Sequence, residues 1–369
     1  MTSQQPEIES VLLVTSTHPS GASVGANYLR EAIASDSQRR YVTVIVESDV
    51  ASATVSAIRP DAIVEHIELV AATSRASTLW IVLDAPVMYE VSWQLHRRIT
   101  IPTMTTVWDP PELIARSAGL PEHVMLDAFE RAMHSTSSCG VVSSEMQLRY
   151  RETLRVETMI VRQGVPPGDR RPATSNPHRD DRLVIGFAGT VYSRDVWDAL
   201  FAALDSVHWR IGDRVVMVEM IGGAEHPFPT RRNVRHSGWV DESEVIERLS
   251  SCDVCYVPSW FDEEHRAAAQ LCFPTKLSTS FASGRAVLVH AREDAASTRF
   301  VREHDCALAC TSLDTHAILS ALEVLATDTA RYSALTRNAA AVVSTELSAE
   351  RFHDAHRKLI AAAHAVTSR

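Results

Sequence analysis

No stretch of this 369-residue chain approaches the ~18 uninterrupted apolar residues that a membrane-spanning helix needs. Its opening, MTSQQPEIES, holds no basic residue and no apolar run, so no signal peptide is visible and the cytoplasm is the expected compartment. Positive charge is in deficit. The formal net charge of −10 argues against a general nucleic-acid or anionic-membrane binder, although a local basic groove is still allowed. Cysteine is sparse, with six residues, and only Cys252-Asp-Val-Cys255 has the spacing of half a zinc site. That pair runs straight into the strand-like CDVCYVP. Cys306 and Cys310 flank another strand-like run, so the thiols read as structural and no metal is expected. The chain also lacks a G-x-G-x-x-G fingerprint, a G-K-[ST] phosphate loop, an Asp-x-Asp metal motif and any repeat at solenoid periods.

What is present is an ordinary soluble composition, 45% hydrophobic and 22% charged, in a chain long enough for two domains. Val11–Thr15 reads as a buried strand. It empties into the small-residue loop THPSGASVG (Thr17–Gly25) and a helix to about Ala34, the opening unit of a doubly wound sheet. The loop is either a plain tight connection or a place where a ligand approaches the backbone, as Gly21 would permit. Strands are expected at Tyr41–Val46, Ala62–Ile67, Leu79–Leu83, Thr103–Val107, Cys139–Val142 and Thr158–Val161, with helices between them. The βαβα pattern predicts a mainly parallel sheet, whose ligands sit beyond the carboxyl ends of the strands. The loops of interest then begin at Thr15, Asp84, Trp108 and Ser143.

Residues 165–181, VPPGDRRPATSNPHRDD, carry proline and charge and almost no large apolar side chain, and read as a linker. A second βα series follows. Its strands are expected at Leu183–Ala188, Arg214–Ile221 (ending in Gly222-Gly223), Asp253–Val257, Ala286–Val289 and Cys306–Cys310. A helix is expected from Asp195 to about Val207, and another is expected to start at Asp241 with Glu244 completing a capping box. The last helix runs from about Ala349 to Ala365.

The most informative stretch is Phe273–His290, FPTKLSTSFASGRAVLVH. Pro274 favours the first turn of a helix, Lys276 stands in that turn among free N–H groups, Leu277, Phe281 and Ala282 form an apolar stripe, and Gly284 closes the helix before a buried strand. This arrangement offers a lysine and a helix N-terminus to a phosphate at a sheet edge; the alternative is a solvated surface lysine.

Five features in order now resemble a family. They are THPSGASVG, VVSSEMQLRY followed by a strand and Gly164, IGFAGT, RHSGWVDESEVIERLSSCDVCYVPS, and FPTKLSTSFASGRAVLVH. Together they resemble the retaining, nucleotide-sugar-dependent GT-B glycosyltransferases, in the group like glycosyltransferase family 4, over nearly the whole chain. The resemblance implies two Rossmann-like α/β lobes facing each other across a cleft. Residues 1–165 would form the acceptor lobe, 166–182 the linker and 183–348 the nucleotide-sugar lobe, with 349–369 a helix crossing back to the first lobe. It also implies transfer of a hexose-type sugar to the hydroxyl of a small-molecule, lipid-linked or saccharide acceptor, without a cofactor or required metal. A homodimer is admitted.

The same resemblance suggests site residues. Lys276, flanked by Thr275 and Leu277, would hold the leaving diphosphate, whose growing charge needs preorganised cations and N–H dipoles. Relatives keep an arginine after Gly189; here Thr190 stands there, and Arg194 is the nearest substitute. Relatives bind ribose with a glutamate at the position of Thr279, which would leave only a hydroxyl. Glu263, with Asp262 or Glu264 beside it and His265 and Arg266 close by, would touch the sugar. Gly222, Gly223, Gly238, Trp239 and Val240 would line the base pocket, or simply serve turn geometry. On the acceptor side Trp108 would stack on the acceptor, and Asp109 or His18 would bind or deprotonate its hydroxyl. The departures at Thr190 and Thr279 support a second reading, a non-catalytic GT-B subunit that binds a nucleotide sugar. A sugar-nucleotide epimerase is a third.

Overall fold

The computed structural model describes residues 9–47, 60–177, 181–222, 228 and 231–367. It divides the chain into two compact units. Unit 1 comprises residues 1–162 and 352–369, and unit 2 comprises residues 163–351.

Unit 1 alternates strand and helix. Its strands are β1 (Ser10–Thr15), β2 (Arg40–Ile45), β3 (Thr78–Val82), β4 (Thr103–Val107), β5 (Ser138–Val141) and β6 (Met159–Ile160). Its helices are α1 (Val24–Ala34), α2 (Pro60–Ser74), α3 (Pro86–Arg98), α4 (Pro111–Ser117), α5 (Glu122–His134) and α6 (Ser144–Leu154). The strands form one parallel sheet in the order β2-β1-β3-β4-β5-β6. β1, β3 and β4 are buried along their whole length, as strands covered by helices on both faces must be. The expected strand at Ala62–Ile67 is instead the second turn of α2. Val64, Ile67 and Ala71 recur at helical spacing and are the residues this helix buries, so a short apolar run misled by its length.

Unit 2 contains β7 (Arg182–Ala188), α7 (Arg194–Ser206), β8 (Arg210–Ile211), β9 (Arg214–Ile221), β10 (Val234–His236), α8 (Glu242–Ser250) and β11 (Val254–Pro258). It continues with α9 (Arg266–Leu271), α10 (Thr275–Ala282), β12 (Ala286–His290), α11 (Ala296–Glu303), β13 (Leu308–Cys310), α12 (Thr315–Thr327) and α13 (Thr329–Ser344). The sheet order is β10-β9-β7-β11-β12-β13, all parallel, with β8 antiparallel on β9. Counted within the unit and leaving β8 aside, that is the Rossmann order 3-2-1-4-5-6, whose direction reverses between β7 and β11. Unit 1 reverses between β1 and β3. The core of unit 2 is centred on Trp197, whose ring meets Phe187, Tyr256 and Phe201 at 4.9, 5.1 and 5.6 Å. Asp241 does sit at the N-cap of α8, but its side chain makes no capping bond, and the Glu244 carboxylate is engaged by Arg248 at 2.7 Å.

The proline-rich stretch read as a linker is strapped along unit 2. Arg171 N donates to Ala282 O (2.7 Å), Thr174 N to Gly284 O (3.0 Å), and Thr336 Oγ1 to Thr174 O (2.6 Å). Gly284 is required here for two reasons. Its φ is +73°, and a Cβ would lie 2.1 Å from Pro172 O. The last helix, α14 (Ala349–Thr367), starts in unit 2 and supplies Phe352, Leu359, Ile360 and Ala363 to the core of unit 1, where they join Val11, Leu13, Trp80 and Val82. Truncating Phe352 alone would cost about 3–5 kcal/mol, the scale of a buried aromatic replaced by alanine. Among the described residues no helix is long and apolar enough to cross a membrane.

Candidate functional site

Each sheet reversal opens a crevice at the carboxyl ends of the strands, and the residues singled out by sequence fall around both. In unit 1 the loop after β1 is fixed from two sides. Asp84, just past β3, accepts from Thr15 Oγ1 (3.1 Å), Ser16 N (3.2 Å) and Thr17 Oγ1 (2.8 Å). Arg30 of α1 reaches back to Pro19 O (2.7 Å), Gly21 O (2.6 Å) and the Asn27 side chain. Ser23 then caps α1 by accepting from Ala26 N at 3.1 Å. His18 is exposed at the crest of this loop, and Gly21 N donates to its carbonyl oxygen at 2.9 Å. Gly21 packs closely there, with a notional Cβ only 3.1 Å from His18 O.

Asp109 is exposed on the loop after β4. Trp108, expected to stack on the acceptor, is half-buried. Its ring packs against Tyr28 at 5.2 Å and fills the space over Gly25, where a Cβ would lie 2.7 Å from Cζ3.

In unit 2 the carboxyl ends of β7 and β9 meet the first turn of α10. Pro274 is the N-cap of that helix, one position earlier than expected, and Lys276 stands in its first turn. Lys276 is half-buried. Its chain runs over Gly189 (φ +110°), where a Cβ would stand 2.7 Å from Lys276 Cε. Its Nζ lies 4.0 Å from the centroid of Tyr192 and 5.9 Å from that of Phe187. Among the described residues no carboxylate is within ion-pair distance, and burial alone pushes its pKa down to about 7. An ammonium enclosed by aromatic faces at a helix N-terminus, without an anion, is a charge waiting for its partner.

Gly222 (φ +89°) donates its N–H to Gly238 O at 2.7 Å and lies against Gly189, a notional Cβ being 3.5 Å from Gly189 N. Gly238 (φ +66°) faces open space, Trp239 is 67% exposed beside it, and Val240 is half-buried. These residues gather with Gly189, Thr190 and Lys276 around one end of the sheet of unit 2; Gly223 lies outside the described residues.

Other expected residues are committed elsewhere. Arg194 begins α7, points outward and pairs with Asp198 at 3.5 Å. Thr279 Oγ1 donates to Thr275 O within its own helix (3.4 Å). Leu277 is fully buried, and its N–H donates to Pro274 O, so it contributes to the core of unit 2 rather than a side chain to the site. Glu263 is exposed and held by Arg292 (2.8 Å) and Arg266 (3.2 Å). Both guanidiniums also engage Asp294, and Arg292 above all keeps the Glu263 carboxyl below its ordinary range. His265 bonds Asp262 (2.8 Å) and stacks on Trp260 at 5.4 Å, and Trp260 in turn packs at a tilt against Tyr192 at 4.4 Å.

Sequence reasoning missed Asp84 as the anchor of the first loop, Arg30 as its clamp and Tyr192 as the lid over Lys276. One signal was available for the lysine. Of the 36 lysines and arginines only two are lysines, Lys276 and Lys358, and Lys358 is an exposed residue paired with Asp354 at 2.7 Å. The chain uses arginine for nearly every cation and keeps lysine at the helix N-terminus.

No protein-family model and no curated protein matches the chain by sequence. Its structure is similar to a sucrose-phosphate synthase from Thermosynechococcus elongatus, with 15% identity, TM-score 0.73, and 96% of this chain and 100% of that one covered. It is similar to Anabaena HepE in complex with UDP-glucose, with 13% identity, TM-score 0.69, and 95% and 99% covered. It is also similar to a UDP-forming α,α-trehalose-phosphate synthase from Burkholderia xenovorans in complex with glucose-6-phosphate, with 10% identity, TM-score 0.66, and 95% and 99% covered. The structures it resembles are GT-B glycosyltransferases, and the chain has the GT-B fold, two Rossmann-like α/β domains in series.

Proposed function

We propose that this chain is a glycosyltransferase that moves a hexose-type sugar from a nucleoside-diphosphate sugar to an acceptor hydroxyl, with retention and without a required metal. The observation that carries the reading is Lys276, a half-buried ammonium with no carboxylate within ion-pair distance among the described residues, in the first turn of α10 and beside Gly189. In the reaction the bond between the anomeric carbon and the diphosphate oxygen breaks, and the diphosphate keeps the electron pair. Lys276 and the first-turn N–H groups of α10 stabilise that charge as it grows. The acceptor oxygen bonds to the anomeric carbon and gives up its proton, and Asp109 is the carboxylate of unit 1 assigned to receive it. No side-chain nucleophile is assigned. The likeness to GT-B structures that hold UDP-glucose or glucose-6-phosphate supports sugar nucleotides and sugar phosphates as the substrate classes. The test is a thermal-shift and calorimetric screen against UDP, GDP, ADP and dTDP, followed by product analysis with the corresponding sugar donors. If no nucleoside diphosphate binds, the reading fails.

A second reading, a sugar-nucleotide-binding subunit without turnover, draws on Arg194 being paired with Asp198 and Thr279 bonding its own helix. Tight binding of a sugar nucleotide with neither hydrolysis nor transfer, across a panel of sugar and sugar-phosphate acceptors, would select it.

A further inference from the structure

Two side chains of unit 1 compete for the part of acceptor-side base, and the hydrogen bonds around His18 separate them. The backbone N–H of Ser20 points at His18 Nδ1 (3.2 Å), and the Ser20 hydroxyl stands 2.7 Å from the same nitrogen. A backbone amide only donates, so Nδ1 must present its lone pair. A proton on Nδ1 would set two N–H groups against each other. The Pro19 carbonyl oxygen, in the same peptide unit as that amide, is held by Arg30, and the start of the loop is held by Asp84, so the amide is not free to turn away. The neutral ring therefore carries its proton on Nε2, which has no partner among the described residues and belongs to an exposed side chain. Both lone-pair positions of the imidazole are thus accounted for: Nδ1 is consumed inside the loop, and Nε2 is a donor.

We infer that His18 serves the substrate of unit 1 as a hydrogen-bond donor through Nε2–H, and is not the group that removes the acceptor proton. Its ligand is an oxygen with lone pairs to offer, a hydroxyl or phosphate oxygen of a bound sugar or sugar phosphate. The inference rests on the transferase reading for its substrate, but not for the state of the ring. It leaves Asp109 as the proton acceptor of this unit.

The experiment has two arms. Long-range 15N–1H spectra of the 15N-histidine-labelled full chain are recorded above the titration range of the ring. Among the 16 histidines, His18 is identified by the signal lost in His18→Gln. The expected result is a bare Nδ1 and a protonated Nε2; a protonated Nδ1 overturns the inference. The second arm compares transfer rates. A glutamine amide can reproduce a donor near Nε2 but cannot take up a proton. His18→Gln should stay within about 3-fold of the unaltered protein while His18→Ala falls by about 10-fold or more, the scale of one lost hydrogen bond. Losses of ~100-fold or more in both variants would mark a base, and no loss in either would remove His18 from the substrate; both results overturn the donor role. If the unaltered protein turns over no donor, the transferase reading has failed on its own terms, and the ring nitrogens alone decide the inference.

Discussion

The two crevices differ in how their charges are settled. In unit 1 the loop after β1 is internally compensated. Asp84 collects three donors, Arg30 is spent on backbone carbonyls and an asparagine, and the ring nitrogen of His18 that faces inward is satisfied by Ser20. In unit 2 the equivalent edge holds Lys276 between Tyr192 and Gly189 with no carboxylate within ion-pair distance among the described residues. A compensated loop is a rigid frame that offers outward-facing hydrogen-bond groups and asks for no net charge. An uncompensated buried cation asks for an anion, because desolvation penalises it until one arrives. On the proposed function, the diphosphate of the donor falls to unit 2, and the acceptor meets the hydrogen-bonding groups of unit 1.

The sharpest way to break this contrast is Lys276→Ala. Affinity for the best nucleoside diphosphate should fall by about 1.5–3 kcal/mol, the worth of a charge-assisted contact, as read by calorimetry. Unchanged affinity would take the diphosphate away from α10. Next in size is Asp84→Ala. Removing an acceptor shared by three donors should lower unfolding stability by about 1–3 kcal/mol in a denaturant titration, while leaving diphosphate affinity alone. A loss of affinity of the same size would mean the two crevices are not separable.

Acidity offers a finer test. Lys276 titrates near 7 in the free protein and near 10.4 when unfolded, so between those values the native state holds fewer protons than the unfolded chain. Its burial penalty is complete below pH 7 and is relieved as pH rises through that window. Lys276→Met should therefore raise the melting temperature most at pH 6, by the equivalent of about 1–2 kcal/mol, and the gain should shrink toward pH 9. An equal gain at both pH values would mean the lysine is not desolvated. Binding runs the other way. A diphosphate favours the charged amine, so complex formation should take up a proton, and affinity should weaken as pH climbs above about 7. Calorimetry in buffers of different ionisation enthalpy reads that proton directly. The smallest effect is expected for Arg194→Ala. Its exposed pair with Asp198 is worth under ~0.5 kcal/mol, and diphosphate affinity should move less than ~2-fold. A larger loss would restore Arg194 to the site.

Much of this was legible from residue order. The alternation of buried runs and helical stripes announced two parallel sheets, and FPTKLSTSFASG announced a helix with Pro274 and Lys276 in its first turn and Gly284 at its close, where the structure has Thr275–Ala282. What stayed hidden depends on reach. Asp84 lies 67 to 69 residues from the hydroxyls and amide it holds, and no local pattern encodes that distance. Arg194 looked available by proximity to Gly189, but one turn of helix directs it outward to Asp198. Ala62–Ile67 was short and apolar enough to pass for a strand, and only burial along α2 settled its period. Trp108 was expected to stack on an acceptor, and no local pattern shows that its ring packs over Gly25 and against Tyr28.

The scarcity of lysine has a chemical corollary. An amine whose conjugate acid is weakened to about 7 is largely a free base in mildly alkaline buffer, and a free amine is a nucleophile. Lys276 is one of only two side-chain amines in the chain, a handle for aldehydes and acylating agents, and an anionic aldehyde such as pyridoxal phosphate would be drawn to it. The occupant of the crevice would shield that amine, so the extent of covalent modification becomes a count of empty sites.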